Sequence, residues 1–420
     1  STSRRQRQMC IRDRIKKVIV LAKEKWVRFR HQITLRILKI IMKPALYIKC
    51  GFRYKKIPNL KEPCLILYNH TTAEDQFFVG LMTNTKTYFV MSDDLVIHRF
   101  AYKIMKFLVH PIPYKKASTD FSILKTCKKV VNEGGSIAIS PEGNRTYSGV
   151  TCYINPTITK MIQFLKLPVV FLHLEGGFGV HPRFSNQIRK GKSFGNVQKI
   201  VYYEEYKDLS HEELYEMVKE NIYTNENRPT GPYQSRKKAE YLERVIYRCP
   251  ICGVTHFESQ RNVLKCTTCG KEHLYNEYKE FIGLNGDTFF KNVYEWYRYQ
   301  EEELKKTHLL DLPEEEILTT DIVSFYFIIP RKKKIRIANQ VILKLHPNHY
   351  ELIYDGVSKK YLFNDIISAG IFGKNKIDFF TKDMAYQIKS DCRFNALKYV
   401  QFFYKYKNEM EGINNEFLGL

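Results

Sequence analysis

Two short motifs contain the residues of this chain that could do chemistry. The first, NHTTAED, occupies positions 69–75, and the second, SPEGNR, occupies 140–145. Each follows an apolar run, at 64–68 and at 136–139, that predicts a buried strand. Residues that directly follow the strands of an open α/β sheet commonly form active sites. The two motifs are therefore the candidate active site.

The side chains of these motifs suit the transfer of an acyl group from a thioester to a hydroxyl. His70 is a base near neutral pH and could take the proton of the attacking hydroxyl. Asp75 could hold the other ring N–H and fix the tautomer. Arg145 carries a planar set of donors that suits a phosphate on the acceptor. The alternatives are a histidine that caps a helix beside a solvated Asp75, and a Glu142 that only pairs with Arg145.

The two motifs, taken in their order along the chain, resemble two blocks of the glycerolipid acyltransferase family, which includes the lysophosphatidate acyltransferases. The family blocks read Asn-His-x4-Asp and Phe-Pro-Glu-Gly-Thr-Arg. The resemblance extends over about 51–219, where 91–116 holds the place of the family's second block and 167–172 that of its fourth. Three positions depart from the family pattern: Glu74, Ser140 and Asn144. These departures bear on the acceptor more than on the reaction.

The resemblance implies an α/β acyltransferase core, with a mixed sheet flanked by helices. It implies a fatty acyl donor, acyl-CoA or acyl-carrier protein, and a lysophospholipid acceptor. The expected acceptor is 1-acylglycerol-3-phosphate, which would give phosphatidate and place the protein in phospholipid biosynthesis. His70 and Asp75 would be the catalytic residues. The implied acceptor-binding residues are Glu142, Gly143 and Arg145, with Lys115 and Lys116 adding positive charge.

Four cysteines form a second pattern, in which two Cys-x2-Cys pairs are separated by thirteen residues: Cys249, Cys252, Cys266 and Cys269. This spacing is typical of a zinc ribbon with a closed, structural Zn²⁺ site. A redox disulfide pair is the alternative, although nothing around it resembles a βαβ unit. His256 and His273 would be surplus ligands, and we expect both to be solvated. A protein partner of the ribbon is a further expectation, and the pattern leaves its identity open.

Short strands are predicted after the ribbon, beginning near position 321. Two of these strands are predicted separately, at 335–337 and at 341–345. An Asp355-Gly356 turn is predicted to join two further strands. A final helix is predicted over 393–406. Six to eight strands closed by a helix resemble a small pleckstrin-homology-like (PH) or GRAM-like barrel. The basic run 331–334 would meet anionic headgroups or remain a solvated loop.

The N-terminal region predicts a basic amphipathic helix at 15–48. Trp26 precedes isoleucines at helical spacing, and Pro44 is expected to end the pattern. Residues 7–14 resemble a translated sequencing adapter, so residues 1–14 are set aside as a non-native segment. The helix would lie in a membrane interface or pack on its own domain, and no transmembrane helix or signal peptide is expected. The isoleucines concerned are Ile33, Ile37, Ile40 and Ile41.

The composition favours anionic partners, because lysine and arginine exceed aspartate and glutamate by 24 charges in 420 residues. Anionic membrane lipids fit this excess, and the protein is expected peripherally at the cytoplasmic face of a membrane. The remaining cysteines show no framework spacing, which favours a reducing compartment. Nucleic-acid binding ranks last, because the cysteine region lacks a basic and aromatic platform. A catalytically inactive membrane adaptor, which would use the ribbon and the barrel to bind lipid or protein, is the alternative to the enzyme.

The predicted order is a non-native segment (1–14), the amphipathic helix (15–48), the acyltransferase domain (49–224), a linker (225–244), the zinc ribbon (245–276), a helical connector (277–318), the PH/GRAM-like domain (319–411) and a tail (412–420).

Overall fold

The computed structural model describes residues 25–92, 99–114, 122–228, 231–329, 334–413 and 417–419. Several expectations fall outside these residues. They concern the N-terminal segment up to position 24, the two lysines Lys115 and Lys116, and the basic run 331–333.

A seven-stranded mixed sheet forms the first part of the fold. In chain order its strands are β1 (Phe52–Tyr54), β2 (Leu65–Tyr68), β3 (Thr87–Ser92), β4 (Ile112–Tyr114), β5 (Ser136–Ile139), β6 (Val169–Glu175) and β7 (Ser193–Val201). The order across the sheet is β1-β7-β6-β2-β5-β3-β4. Neighbouring strands are parallel, except that β7 runs antiparallel to β6. The predicted mixed α/β sheet is therefore present.

Helices cover both faces of this sheet. They are α1 (Phe29–Cys50), α2 (Asp75–Met82), α3 (Arg99–Leu108), α4 (Ser122–Asn132), α5 (Thr157–Leu165), α6 (Gly177–Val180), α7 (Tyr203–Tyr206) and α8 (His211–Ile222). Side chains alternate across a strand, so Leu65 and Leu67 of β2 join one buried cluster while Ile66 and Tyr68 join another. The first cluster includes residues of α4, α5 and α8, and the second includes residues of α1 and α2. A strand buried on both faces must be apolar throughout, as β2 is.

The central pair of strands determines where the two motifs lie. β2 and β5 are parallel neighbours, and Leu67 of β2 is in register with Ile139 of β5. The residues that follow these two strands therefore emerge at the same edge of the sheet. This register brings the 69–75 motif next to the 140–145 motif.

Helix α1 differs from its prediction in two respects. Pro44 lies inside the helix, which continues to Cys50, and Gly51 ends it with a φ of 58°. A proline cannot donate to the carbonyl four residues earlier, here that of Ile40. Ile40 is 74% exposed, so water can reach that turn, while Leu46 and Cys50 beyond the proline are buried and stabilise the continuation. Trp26 is not a free membrane anchor, because its ring stacks on that of His110 with centroids 4.0 Å apart.

A small cysteine-bearing region follows the first sheet. Two short strands, β8 (Arg248–Cys249) and β9 (Gly253–Val254), precede a four-stranded antiparallel sheet. The strands of that sheet are β10 (Phe257–Gln260), β11 (Val263–Cys266), β12 (Glu272–Tyr275) and β13 (Phe281–Gly283). Helix α9 (Val293–Lys306) packs Trp296 against Phe257 and Phe281 of this sheet.

The C-terminal region is a seven-stranded antiparallel sheet followed by helix α10 (Ala396–Met410). Its strands are β14 (Thr319–Ile328), β15 (Ile335–Leu345), β16 (His349–Tyr354), β17 (Val357–Leu362), β18 (Ile366–Phe372), β19 (Lys376–Thr381) and β20 (Ala385–Lys389). β14 pairs with both β15 and β20, so it joins the two halves of the sheet. The number of strands and the final helix agree with the predicted barrel, and the PH/GRAM-like assignment stays a prediction.

Two turns of the C-terminal sheet show where local sequence was informative. Asp355 and Gly356 have φ values of 51° and 74° and join β16 to β17, as the Asp-Gly signal predicted. The strands predicted at 335–337 and 341–345 are in fact one strand, β15. Gln340 interrupts its pattern with a φ of 52° near a shift in the pairing with β14, which explains the apparent gap.

Candidate active site

His70 and Asp75 form a hydrogen-bonded pair at the end of β2. The Nδ1 of His70 lies 2.8 Å from Oδ2 of Asp75, which is the first residue of α2. The same carboxylate oxygen accepts the backbone N–H groups of Thr71 and Thr72, at 2.8 and 3.0 Å. A carboxylate only accepts, so Nδ1 carries the proton and Nε2 is the basic nitrogen. Asp75 is buried and is not a solvated residue of the first helical turn.

The environment of His70 favours its neutral form. Burial lowers the pKa of His70 below its usual value, the contact with Asp75 opposes this, and the charges of Arg145 and Arg183 lower it further. The side chain is 15% exposed, so the ring remains accessible at one edge. A neutral imidazole with its Nδ1–H held by a carboxylate can accept a proton at Nε2 near neutral pH.

Asn69 fixes the strand end from which His70 projects. Its side-chain amide donates to the carbonyl of Leu174 at 2.8 Å, and its Oδ1 accepts the N–H of Leu174 at 2.7 Å. The side chain thereby extends the pairing between β2 and β6 by one position. Since Asn69 is fully buried, the loss of either bond would leave a buried backbone group unsatisfied.

Glu142 contacts the backbone on both sides of the site. Its Oε1 accepts the N–H of His70 and its Oε2 accepts the N–H of Cys152, each at 2.7 Å. Burial raises the pKa of Glu142 to about 8, although these two bonds oppose the shift. The hydrogen bonds of Glu142 thus join the backbone of His70 to that of Cys152, in place of the pairing with Arg145 that was the alternative. A role of Glu142 in binding the acceptor stays a prediction.

The second motif turns sharply before Arg145. Gly143 has a φ of 66°, which favours glycine, and its N–H donates to the carbonyl of Ser140 at 3.3 Å. Arg145 is partly buried, and burial lowers the pKa of its guanidinium. Its Nη1 is buried without a hydrogen-bond partner in the part of the chain that the structure describes. A desolvated donor of this kind suits an anionic ligand.

Glu74, which departs from the family pattern, has partners of its own. Burial disfavours its charge, but hydrogen bonds from His181 and Thr72 outweigh burial and lower the pKa of Glu74 to about 2. The Nδ1 of His181 lies 2.9 Å from the nearer carboxylate oxygen. Glu74 is therefore a charged neighbour of the site that does not compete for the ring of His70.

Sequence reasoning missed two cationic residues near Arg145. They are Arg183 and Lys374. The Nη1 of Arg183 donates to the carbonyl of Arg145 at 2.7 Å, and its guanidinium stacks over the Tyr147 ring at 4.3 Å. Lys374 lies in the turn between β18 and β19, where the charge of Arg145 helps to lower the pKa of the lysine. Neither residue belongs to a recognisable motif, so no signal in the sequence could have found them.

Comparison with known proteins finds a similarity in the segment that contains the His70–Asp75 pair. Residues 51–172 match the protein-family model described as Acyltransferase. This part of the chain is therefore similar to that family. It includes His70, Asp75, Glu142 and Arg145, whereas Arg183 and Lys374 lie outside it.

A solved structure is also similar to this chain, the crystal structure of the 1-acyl-sn-glycerophosphate (LPA) acyltransferase PlsC from Thermotoga maritima. The two chains are 17% identical with a TM-score of 0.40, and the match covers 50% of this chain and 86% of that one. No curated protein matches the chain.

The four cysteines outside the acyltransferase domain come together as predicted. Their sulfur atoms all lie within 4.8 Å of one another, and the Cys249–Cys269 and Cys252–Cys266 sulfurs are 3.8 and 4.0 Å apart. Four thiolates around Zn²⁺ at about 2.3 Å would be separated by about 3.8 Å. The cluster is thus compatible with a structural zinc ion.

The two histidines near the cysteines differ from the expectation that both are solvated. His256 is half exposed and lies 3.2 Å from the carboxylate of Asp321. His273 is buried, with its ring packed against Phe289 and Trp296. An alternating strand directs every second side chain inward, and β12 directs His273 into the aromatic cluster. Neither belongs to the four-residue metal cluster.

Proposed function

We propose that this protein is an acyltransferase that moves a fatty acyl group from acyl-CoA or acyl-carrier protein to the free hydroxyl of a lysophospholipid. The proposed acceptor is 1-acylglycerol-3-phosphate and the product is phosphatidate. The observation that carries the proposal is the His70–Asp75 pair inside a segment that matches the acyltransferase family. A buried arginine beside this pair supports a phosphate-bearing acceptor.

The geometry supports a direct transfer. His70 Nε2 takes the proton of the acceptor hydroxyl as its oxygen attacks the carbonyl carbon of the thioester. Asp75 stabilises the imidazolium that forms, because its carboxylate already binds Nδ1–H. The tetrahedral intermediate collapses, the carbon–sulfur bond breaks, and the leaving thiolate takes the proton from His70. The thioester is already activated, so no protein nucleophile is needed.

The test is product formation by the purified protein. Acyl-CoA and acyl-carrier protein are each offered with 1-acylglycerol-3-phosphate and with lysolipids whose phosphate carries a headgroup, and products are identified by mass spectrometry. We expect phosphatidate to form in preference to the other products. Transfer to another lysolipid would preserve the acyltransferase and change its acceptor. No transfer from any donor would favour the inactive membrane adaptor.

We also propose that α1 binds a membrane that contains anionic lipid. Its five isoleucines are 41–81% exposed, while its opposite side buries His31, Leu46 and Cys50. Exposed apolar residues beside lysine and arginine are typical of helices that lie in an interface. Among the described residues, every helix is too short or too polar to cross a bilayer. The exposed isoleucines are Ile33, Ile37, Ile40, Ile41 and Ile48.

Vesicle flotation tests this surface against a matched control. Changing the five exposed isoleucines of α1 to serine should reduce binding to vesicles with anionic lipid at every salt concentration, because the lost contribution is apolar. Changing Ile322 and Ile367 to serine is the control, since both are more than half exposed but lie in the C-terminal sheet. Equal binding by the two variants would reject α1 as the membrane surface.

We propose that the four cysteines hold one structural Zn²⁺. Elemental analysis of protein purified under reducing conditions should find one zinc per chain, and Cys266→Ser should lower this content. Cys392→Ser is the matched control, because Cys392 is a free, exposed cysteine outside the cluster. Protein without zinc, or equal zinc content in the two variants, would reject the site.

A further inference from the structure

The turn between β18 and β19 touches the acyltransferase domain next to the second motif. The hydroxyl of Tyr147 donates to the carbonyl of Lys374 at 2.6 Å. Arg183 connects the same two segments, because it donates to the carbonyl of Arg145 at 2.7 Å and to that of Gly373 at 3.3 Å. One side chain therefore links the backbone of the candidate phosphate-binding arginine to the C-terminal sheet.

Lys374 points into this contact. Its Nζ donates to the carbonyl of Ser185, and lies 3.1 Å from Oδ1 of Asn186. Burial and the charges of Arg244 and Arg145 lower the pKa of Lys374 to about 8, although the charge of Glu74 opposes this shift. A lysine at a hairpin turn normally extends into water, where its charge is fully solvated. Here the ammonium is kept near two other cations instead.

Among the residues that the structure describes, neither Arg183 nor Lys374 forms an ion pair with a carboxylate, although the charge of Glu74 reaches Lys374. The hydrogen bonds that Arg183 and Lys374 make in the described structure go to carbonyl and amide oxygens, which leave the positive charge uncompensated. Glu74 and Asp75 are the carboxylates within electrostatic range of Arg145. Glu74 is bound by His181, and Asp75 is bound by His70. Like charges held together in this way are stabilised when an anion binds among them.

The charge of a phosphate monoester matches such a site. A monoester carries about −1.5 to −2 charges at neutral pH and offers three acceptor oxygens. A phosphodiester with a headgroup has one negative charge and fewer free oxygens. With Arg183 and Lys374 near Arg145, the site should prefer a monoester over a diester more strongly than a site with a single arginine would.

We propose that the acceptor's phosphate monoester binds between Arg145 and Lys374, so that the C-terminal sheet completes the acceptor site of the acyltransferase domain. Arg183 is a positioning residue, which holds the backbone of Arg145 against the β18–β19 turn. This inference rests on the proposed function for the identity of the acceptor. It goes beyond the family match, because Lys374 lies about 200 residues after the matched segment.

Calorimetric titration with glycerol 3-phosphate tests the site without requiring turnover. Lys374→Met should weaken binding at least about tenfold, because one charge-assisted contact is lost, and Arg145→Met should weaken it by at least as much. Lys374→Arg should retain most of the affinity. Lys376→Met is the matched control, since Lys376 lies in the same hairpin with its ammonium over the ring of Phe372 at 5.4 Å.

Kinetic measurements with 1-acylglycerol-3-phosphate separate binding from a loss of fold. Lys374→Met should raise KM about tenfold with kcat little changed, while the circular dichroism spectrum and melting temperature match those of Lys376→Met. A lysolipid with a phosphodiester headgroup should show a smaller change in KM.

Each outcome decides between the two proposals. If Lys374→Met and Lys376→Met bind glycerol 3-phosphate equally while Arg145→Met does not, the composite site is wrong and the acyltransferase proposal stands. If the intact protein binds glycerol 3-phosphate through Lys374 but transfers no acyl group, the composite site stands and the proposed function fails. If the intact protein does not bind glycerol 3-phosphate yet acylates another acceptor, the composite site is overturned.

Discussion

The two sides of the candidate active site are built over very different distances along the chain. The catalytic side is the pair His70 and Asp75, which a strand end and the start of the next helix place together. The cationic side contains Arg145, Arg183 and Lys374, which come from three separate segments. The catalytic side depends on local backbone geometry. The cationic side depends on the contact between the C-terminal sheet and the second motif.

This difference indicates that the two sides can change independently. Backbone N–H groups of Thr71 and Thr72 fix the Asp75 carboxylate, and the distant contacts of Asn69 and Glu142 come from within the first part of the fold, so the pair makes no use of the C-terminal sheet. The cationic side can change through substitutions in the turn between β18 and β19, which takes no part in the proton transfer. Reaction chemistry would then be retained while acceptor recognition varies with the added domain.

The largest expected effect concerns the catalytic side. His70→Ala should reduce kcat by about 10²–10⁴-fold, because the general base is removed, and Asp75→Asn should reduce it to a similar extent by disturbing the tautomer. Steady-state rates with saturating acceptor measure this effect, with Lys376→Met as the control for folding and purification. A His70→Ala protein with turnover near that of the unmodified chain would show that another group is the base.

Sequence alone predicted the contact between His70 and Asp75 and the position of the two motifs, because their signals are local. An apolar run before each motif indicated β2 and β5, and the two motifs emerge at one edge of the sheet because those strands are neighbours. The cysteine cluster was predictable for the same reason, since each ligand pair lies within four residues. These features depend on short-range spacing and strand periodicity.

The features that sequence failed to predict depend on long-range contacts. The helix continues past Pro44 because buried residues beyond it stabilise another turn. His273 is buried because its strand faces an aromatic cluster supplied partly by α9. In the sequence, Lys374 cannot be distinguished from an ordinary turn residue. Its position beside the second motif depends on the contact between its turn and Tyr147. In each case a tertiary contact overrides the local preference.

A smaller effect is expected at Glu142, which joins the backbone of His70 to that of Cys152. Both of its carboxylate oxygens accept backbone N–H groups, so Glu142→Gln would place an amide N–H₂ against a backbone donor. We expect a loss of about 1–3 kcal/mol in the free energy of unfolding, measured by urea denaturation, together with a lower kcat. The same change at the exposed Glu258 should alter stability by less than about 0.5 kcal/mol. Equal stability of the two variants would contradict the bridging role.

The smallest expected effect measures whether the two sides interact electrostatically. Catalysis needs neutral His70, so kcat/KM should fall as the pH drops through the pKa of His70, and this acid limb should lie below 6.5 because burial and the nearby arginines lower that pKa. Arg145→Met removes one of those charges. The acid limb should therefore move to higher pH, most clearly at low ionic strength. Lys376→Met should leave it unchanged. An acid limb that stays in place in Arg145→Met would show that the cationic side binds the acceptor without influencing the base, and the two sides would then be independent in charge as well as in their position along the chain.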